Sequence, residues 1–274
     1  MWPALQRTMQ ALSENWFSRD TAPDYLLPPK ADRFVAVSCG VGALTSFLTA
    51  SGRVYMLGQN FYGQCGVGDV KALSIAFTPV PVTGFEPEER FLGVACGIDH
   101  ALCVSRDGAV YAWGRGDRGQ VGIGDAGSYL SAVRVLGRQE HFLDERMVSV
   151  AAGPAASGCI SQEGTCYVWG KMLGVHPRKA RGDGEIIEDA RLPRALHFEP
   201  APESDVVPRA THLTFGQAHA SIRTDDGRLW MIGLRGRGRL FDDSDVLAAA
   251  AGSAAGGSSS SSMPSTPTTQ RSLT

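Results

Sequence analysis

Residues Gly63-Gln64-Cys65-Gly66-Val67-Gly68-Asp69 and Gly119-Gln120-Val121-Gly122-Ile123-Gly124-Asp125 align over seven positions, 56 residues apart. Recurrence at a fixed interval is the mark of a repeat architecture. Working outward from this loop, a glycine after a short apolar run recurs as Gly40, Gly97, Gly153 and Gly216, at steps of 57, 56 and 63 residues. A second glycine follows each anchor by 11 or 12 residues (Gly52, Gly108, Gly164, Gly227), and a third comes six further on (Gly58, Gly114, Gly170, Gly233). Between the second and third glycines the copies read Arg-Val-Tyr-Met-Leu, Ala-Val-Tyr-Ala-Trp, Thr-Cys-Tyr-Val-Trp and Arg-Leu-Trp-Met-Ile. Such glycine-bounded runs of β-branched and aromatic residues, apolar on both faces, are strands buried between sheets. A preceding strand is joined to each by a tight turn at Ser51-Gly52, Asp107-Gly108, Glu163-Gly164 or Asp226-Gly227, where glycine supplies the positive φ that hairpins require.

Each unit therefore holds three or four short strands and cannot bury both faces alone, so successive units stack as the blades of a β-propeller. The period exceeds the 40 to 45 residues of a WD40 unit, and the Gly-Gly doublet of a kelch unit occurs only in the tail, at Gly256-Gly257. Composition agrees with a turn-rich fold: 33 glycines among 274 residues, without a Gly-X-Y period. With 26 basic and 28 acidic side chains the net charge is -2, so no whole-molecule field exists to grip nucleic acid or an anionic membrane. Apolar runs fall short of a membrane span, and the start lacks the pattern of a secretory signal; the expectation is an intracellular protein, cytoplasmic or nuclear, with a mitochondrial location as the alternative. The six cysteines form no CxxC pair and have no histidine at finger spacing, which predicts reduced core thiols and no metal site.

Copy two, Val94-Ala95-Cys96-Gly97-Ile98-Asp99-His100-Ala101, then Asp107-Gly108, Val110-Tyr111-Ala112-Trp113-Gly114 and Gly119-Gln120-Val121-Gly122, resembles the repeat of the regulator of chromosome condensation family. Copy one keeps the glycines, with Ala43 at the histidine position and Leu57 for Trp; copy three has Ala156 there and loses the Gly-Gln loop; copy four keeps His219. The resemblance runs from about Phe34 to Phe241 and implies an all-β propeller of such blades, partial at about four repeats where the family closes seven. Truncation or divergence, a partner, or a pairing of two copies would each account for the open arc; the abrupt start of the tail points to the first.

The domain reading follows: residues 1–33 an extension, 34–243 the repeat domain with an insert at 171–209, and 244–274 a disordered tail of Ala, Gly, Ser, Thr and Pro. Leu5, Met9, Leu12 and Trp16 stand at helical spacing, predicting a short amphipathic helix packed on the propeller. The insert carries a basic run around Arg178-Lys179 followed by the acidic stretch Asp183 to Asp189, read as a solvated loop.

No nucleophile elbow, Walker loop or zinc-protease motif is present, and the Gly63 to Gly68 segment, lacking a helix N-terminus, is turn chemistry rather than a phosphate cradle. No cofactor, metal or small-molecule substrate is expected. What the resemblance implies is protein partners: members of the family act as exchange factors on the small GTPase Ran, as ubiquitin-ligase modules, as chromatin binders, as organelle ribosome-associated proteins and as a plant ultraviolet receptor. The receptor's Gly-Trp-Arg-His-Thr motif is absent here. Carried over position by position, the partner-facing residues are Asp99, His100, Gln217 and His219. The resemblance thus implies an interaction module, most specifically an exchange factor on a Ran-type GTPase, with a scaffold subunit of a larger assembly such as an organelle ribosome or ubiquitin-ligase complex as the alternative. From the residues alone, hydrogen bonding within the blade is the expected role of the two histidines.

Overall fold

The computed structural model describes residues 28, 32–70, 75–136, 140–171, 190–200, 205–217 and 219–233. The helix expected in 1–33 and the tail from 244 onward lie outside them. Fifteen strands and one short helix are described, in four antiparallel sheets. The first sheet runs β1(Phe34–Cys39), β2(Leu44–Thr49), β3(Val54–Gln59), β4(Ile75–Pro81); the second runs β5(Phe91–Cys96), β6(His100–Ser105), β7(Val110–Gly114), β8(Tyr129–Arg134). After α1(Glu140–Asp144) come β9(Met147–Ala152), β10(Ala156–Ser161), β11(Cys166–Gly170) and β12(Ala190–Leu196), and then the three-stranded β13(Ala210–Phe215), β14(His219–Thr224), β15(Leu229–Gly233). Every strand pairs with its sequence neighbour, so each sheet is a four-stranded meander or, in the fourth, its first three strands. Of the interval 171–209, residues 190–196 supply the outer strand of the third sheet, while its charged runs at 178–189 lie outside the described residues.

The second strands explain the stacking. β6 and β10 are buried at every residue, because alternate side chains face opposite neighbours across the sheet. Leu44, Leu48, Val54 and Met56 of the first blade pack against Ala101, Cys103, Tyr111 and Trp113 of the second. Leu102, Val104, Val110 and Ala112 leave the other side of the second blade to meet Cys159, Tyr167 and Trp169 of the third, and Ile160 and Cys166 continue to Ile222 of the fourth. Five of the six cysteines are buried within these layers as free thiols; burial pushes those of Cys65, Cys96 and Cys166 up to about 12. Cys39 is exposed on the first strand.

Backbone bonds tie the layers at fixed points. The hairpin glycine carbonyls of Gly52, Gly108 and Gly164 accept the amides of Phe91, Met147 and Ala210, the first or near-first residues of the next blade (2.9, 3.1 and 2.8 Å). The anchor glycines mark the closest approach of the first strands: a Cβ on Gly40 would strike the Gly97 carbonyl, and one on Gly97 would lie 2.5 Å from that of Gly153. Tyr111 and Tyr167, one repeat apart, each donate to a glutamate 22 residues upstream, Glu89 at 3.3 Å and Glu145 at 2.8 Å.

Candidate protein-interaction rim

Antiparallel pairing sends the loop between first and second strands, and the loop after each third strand, to the same end of every sheet. All the residues singled out by sequence sit at this end. The Gly-Gln loops are built there by the glutamine: Gln64 Oε1 accepts the Tyr62 amide (2.8 Å) and Gln120 Oε1 accepts that of Arg118 (2.9 Å). The backbone carbonyls of the same glutamines accept the indole N–H of the next blade, Trp113 at 3.0 Å and Trp169 at 2.9 Å. The loop is therefore a clasp between blades as well as a turn. Its central glycine is obligatory twice over, since Gly66 and Gly122 have φ of 67° and 80° and their hydrogens face the Trp113 and Trp169 indoles.

Asp99 is half-buried at the rim. Its backbone carbonyl accepts the Arg115 amide at 2.7 Å, and its Oδ2 lies 3.4 Å from Arg115 Nη1. The same guanidinium makes a two-pronged contact with Asp117, Nε to Oδ1 at 3.0 Å and Nη2 to Oδ2 at 2.7 Å, and stands 4.7 Å over the Tyr62 ring from the neighbouring blade. Burial works upward on the Asp117 carboxyl, but the hydrogen bonds and charge of Arg115 outweigh it and hold the group below its usual value. Around this cluster Val41, Phe61, Tyr62 and Ile98 are 74%, 57%, 40% and 37% exposed. The Ile98 carbonyl and side chain adjoin Gly42 of the first blade.

His100 is a different case. It is fully buried, so the rim position implied for it is corrected: the ring meets the next blade and offers no surface to a partner. Its Nε2 lies 3.0 Å from Ser157 Oγ, which donates in turn to the Gln120 carbonyl at 2.7 Å. The expected bonding within the blade is thus a bond between blades, because the side chain leaves β6 on the face that packs against β10. Desolvation lowers its pKa to about 4, only partly offset by a backbone hydrogen bond at Ala156; the ring is neutral, and its Nδ1 has no partner among the described residues. Gly97 is glycine because a Cβ would collide with this ring.

Strand register also corrects the histidine position of the first copy. His100 pairs with Gly114, Ala156 with Gly170 and His219 with Gly233, and the residue opposite Gly58 is Leu44 rather than Ala43. One extra residue in the Gly40 turn causes the shift: Gly40 N reaches the Leu44 carbonyl as Gly97 N reaches that of His100. Gln217 is exposed and His219 half-buried beside Gly216. A whole blade separates this pair from Asp99, so the four residues do not form one constellation. The sequence reading missed Arg115, Asp117 and Tyr62. The signal available was variation inside constancy: ahead of the shared Gly-Gln motif, Asn60-Phe61-Tyr62 in one copy stands where Gly116-Asp117-Arg118 stands in the other.

No group of three or more His, Cys, Asp or Glu side chains placed to hold a metal occurs among the described residues, and no described helix is long and apolar enough to cross a membrane. Comparison with known proteins gives a consistent picture. The family model described as the regulator of chromosome condensation (RCC1) repeat matches residues 51–104 and 107–160, and a second model of the same description matches 92–120. The chain is 30% identical over 149 residues to the ultraviolet-B receptor UVR8 of Arabidopsis thaliana, covering 54% of this chain and 32% of that one. It is 29% identical over 231 residues to the X-linked retinitis pigmentosa GTPase regulator homolog of Caenorhabditis elegans, covering 72% and 16%. Among solved structures, human WBSCR16 superposes with a TM-score of 0.62 at 25% identity, over 76% of this chain and 49% of that one. The chain spans a third or less of these two relatives and about half of this solved structure.

Proposed function

Because the RCC1-repeat models match residues 51–160 and the sheets stack as blades, we propose that the chain is a protein-interaction module of that family whose partner seats on the rim at the junction of the first two blades, and that its specific form is guanine-nucleotide exchange on a Ran-type small GTPase. The observation that carries this reading is the Asp99–Arg115–Asp117 cluster, whose guanidinium stands over the exposed Tyr62 ring. Aromatic and arginine side chains held in fixed geometry are the usual anchors of protein interfaces, and a rigid charged cluster between apolar residues sets register and discriminates partners. Asp99 is the one residue that both the family resemblance and this cluster select. Gln217 and His219 belong to a separate stretch of the same rim and would act as outlying contacts.

Exchange needs no covalent step on the propeller. It needs differential affinity: a surface that binds the nucleotide-free GTPase more tightly than the loaded one weakens nucleotide binding by the same factor. The test is release of fluorescent GDP from purified Ran-type GTPase, with and without the protein. Acceleration abolished by Asp99→Lys supports exchange, and no acceleration rejects it.

A second reading, a scaffold subunit of a larger assembly such as a ubiquitin-ligase complex, is favoured by the similarity to the human E3 ubiquitin-protein ligase HERC2, 30% identical over 196 residues that make up 4% of that protein. A scaffold partner binds with equal strength in EDTA and in excess Mg²⁺ and GTP, whereas an exchange partner is held only in EDTA.

A further inference from the structure

The hairpin end of the blades, opposite the Asp99 rim, holds a cavity of about 90 Å³ where the β6–β7 turn of the second blade meets α1 and the start of β9. Val110, Val135 and Phe142, all buried, give it an apolar wall. Asp107, Asp144 and Glu145 bring three carboxyls to it, against the guanidinium groups of Arg134 and Arg146. Glu145 is the one left incomplete. Its Oε1 accepts the Tyr167 hydroxyl at 2.8 Å, while its Oε2 is buried and has no hydrogen-bond partner among the described residues. A carboxylate oxygen in that state costs free energy until a donor reaches it.

The preceding junction carries the same residues 56 positions earlier, Glu88-Glu89-Arg90 for Asp144-Glu145-Arg146, and disposes its arginine differently. Arg90 Nη1 turns back on its own turn, donating to the carbonyls of Pro87 at 3.2 Å and Glu89 at 2.8 Å, and Nη2 lies 3.5 Å from Glu88. Arg146 instead reaches across to the backbone carbonyl of Arg106. Its stem is held there by Gly108, where a Cβ would come within 2.5 Å of the Arg146 Cγ. The second junction thus keeps the acids of the first and sends its own cation elsewhere.

We propose that this cavity receives a lysine or arginine side chain of a partner polypeptide, with the cationic head on Glu145 Oε2 and the methylene stem along Val110, Val135 and Phe142. Water would serve the oxygen but gain nothing from the apolar wall; an alkyl stem ending in a charge uses both. The volume, equal to about three waters, admits the outer part of such a side chain. Asp107 and Asp144, exposed beside it, favour the approach of a cation.

The full chain, labelled with ¹⁵N, is titrated with the blocked amides of acetyl-arginine and acetyl-lysine, with acetyl-citrulline amide as the uncharged counterpart and with inorganic phosphate. The readout is the backbone amide shifts of Gly108 and Met147, and far-UV circular dichroism checks the fold of each variant. Saturable shifts with a cation in the ~1 mM range, as suits a ligand of about fifteen heavy atoms, and none with citrulline support the proposal. Glu145→Gln, which keeps an acceptor for Tyr167, should weaken the binding at least about tenfold through loss of a charge-assisted hydrogen bond, while Glu89→Gln at the first junction leaves it unchanged. No saturable shift with either cation overturns the proposal, and so does citrulline binding as well as arginine or an unchanged affinity in Glu145→Gln. Phosphate moving the same amides in place of the cations would assign the cavity to Arg134 and Arg146 and overturn it too.

Discussion

The indole nitrogen of Trp113 donates to the backbone carbonyl of Gln64 at 3.0 Å, both groups buried, joining the third strand of the second blade to the loop of the first. Trp169 and Gln120 repeat the bond at 2.9 Å. The pattern then stops on both sides of the clasp together: copy three has no Gly-Gln loop and copy four has Ile232 where the indole would be. Loop and indole are thus two halves of one device, kept or lost as a pair.

Trp113→Phe retains most of the packing but leaves the Gln64 carbonyl buried without its donor. The expected loss is about 1–3 kcal/mol of unfolding free energy, read from urea denaturation. Trp113→Leu, which copies the first blade, adds a cavity and costs more, about 3–5 kcal/mol.

Gly122→Ala and Gly227→Ala separate backbone strain from collision. Both glycines have positive φ, 80° and 84°, worth ~1–2 kcal/mol for any side chain. A Cβ at Gly122 would lie 2.6 Å from Trp169 Nε1, whereas at Gly227 nothing lies within 4 Å. Gly122→Ala should exceed Gly227→Ala by about 1–3 kcal/mol; equal losses would show that the clasp yields to the methyl group.

His100 makes stability depend on pH in a stated direction. Its pKa falls from 6.5 to about 4 on folding because burial desolvates the ring. Between those values the unfolded chain binds a proton that the folded chain does not, so stability is complete above about pH 6.5, is lost as pH falls towards 4, and is not lost further below that by this group. The whole effect is on the order of 3 kcal/mol. His100→Leu, the residue at this position in the first blade, should flatten the stability profile between pH 4 and 6.5; an unchanged slope would assign the dependence to other groups.

Arg115→Glu tests the rim without testing the fold. The ion pairs are partly exposed, 31% for the Arg115 side chain and 45% for that of Asp117, and pairs of that kind contribute ~0–1 kcal/mol. Thermal unfolding should shift little, while affinity for a rim-bound partner should drop at least about tenfold, measured by titration calorimetry. Loss of fold with loss of binding would make Arg115 structural.

The sequence by itself determined the repeat, the strand pair inside each copy, the hairpin glycines and hence the propeller class, because these depend on short-range facts: the alternation of side chains along a strand and the few residues that tolerate positive φ. It also marked Asp99. Tertiary structure alone decided where His100 points, since the side of β6 it leaves by depends on which blade lies next to which, and no local pattern records that. The same holds for the Tyr62–Arg115 contact, made by residues of two blades, and for Leu44 replacing Ala43 opposite Gly58, where one added turn residue is invisible until strand register fixes it. Residues brought together by stacking lie a full repeat apart in the chain, so their pairing is set by the packing of sheets and by no spacing a linear reading can measure.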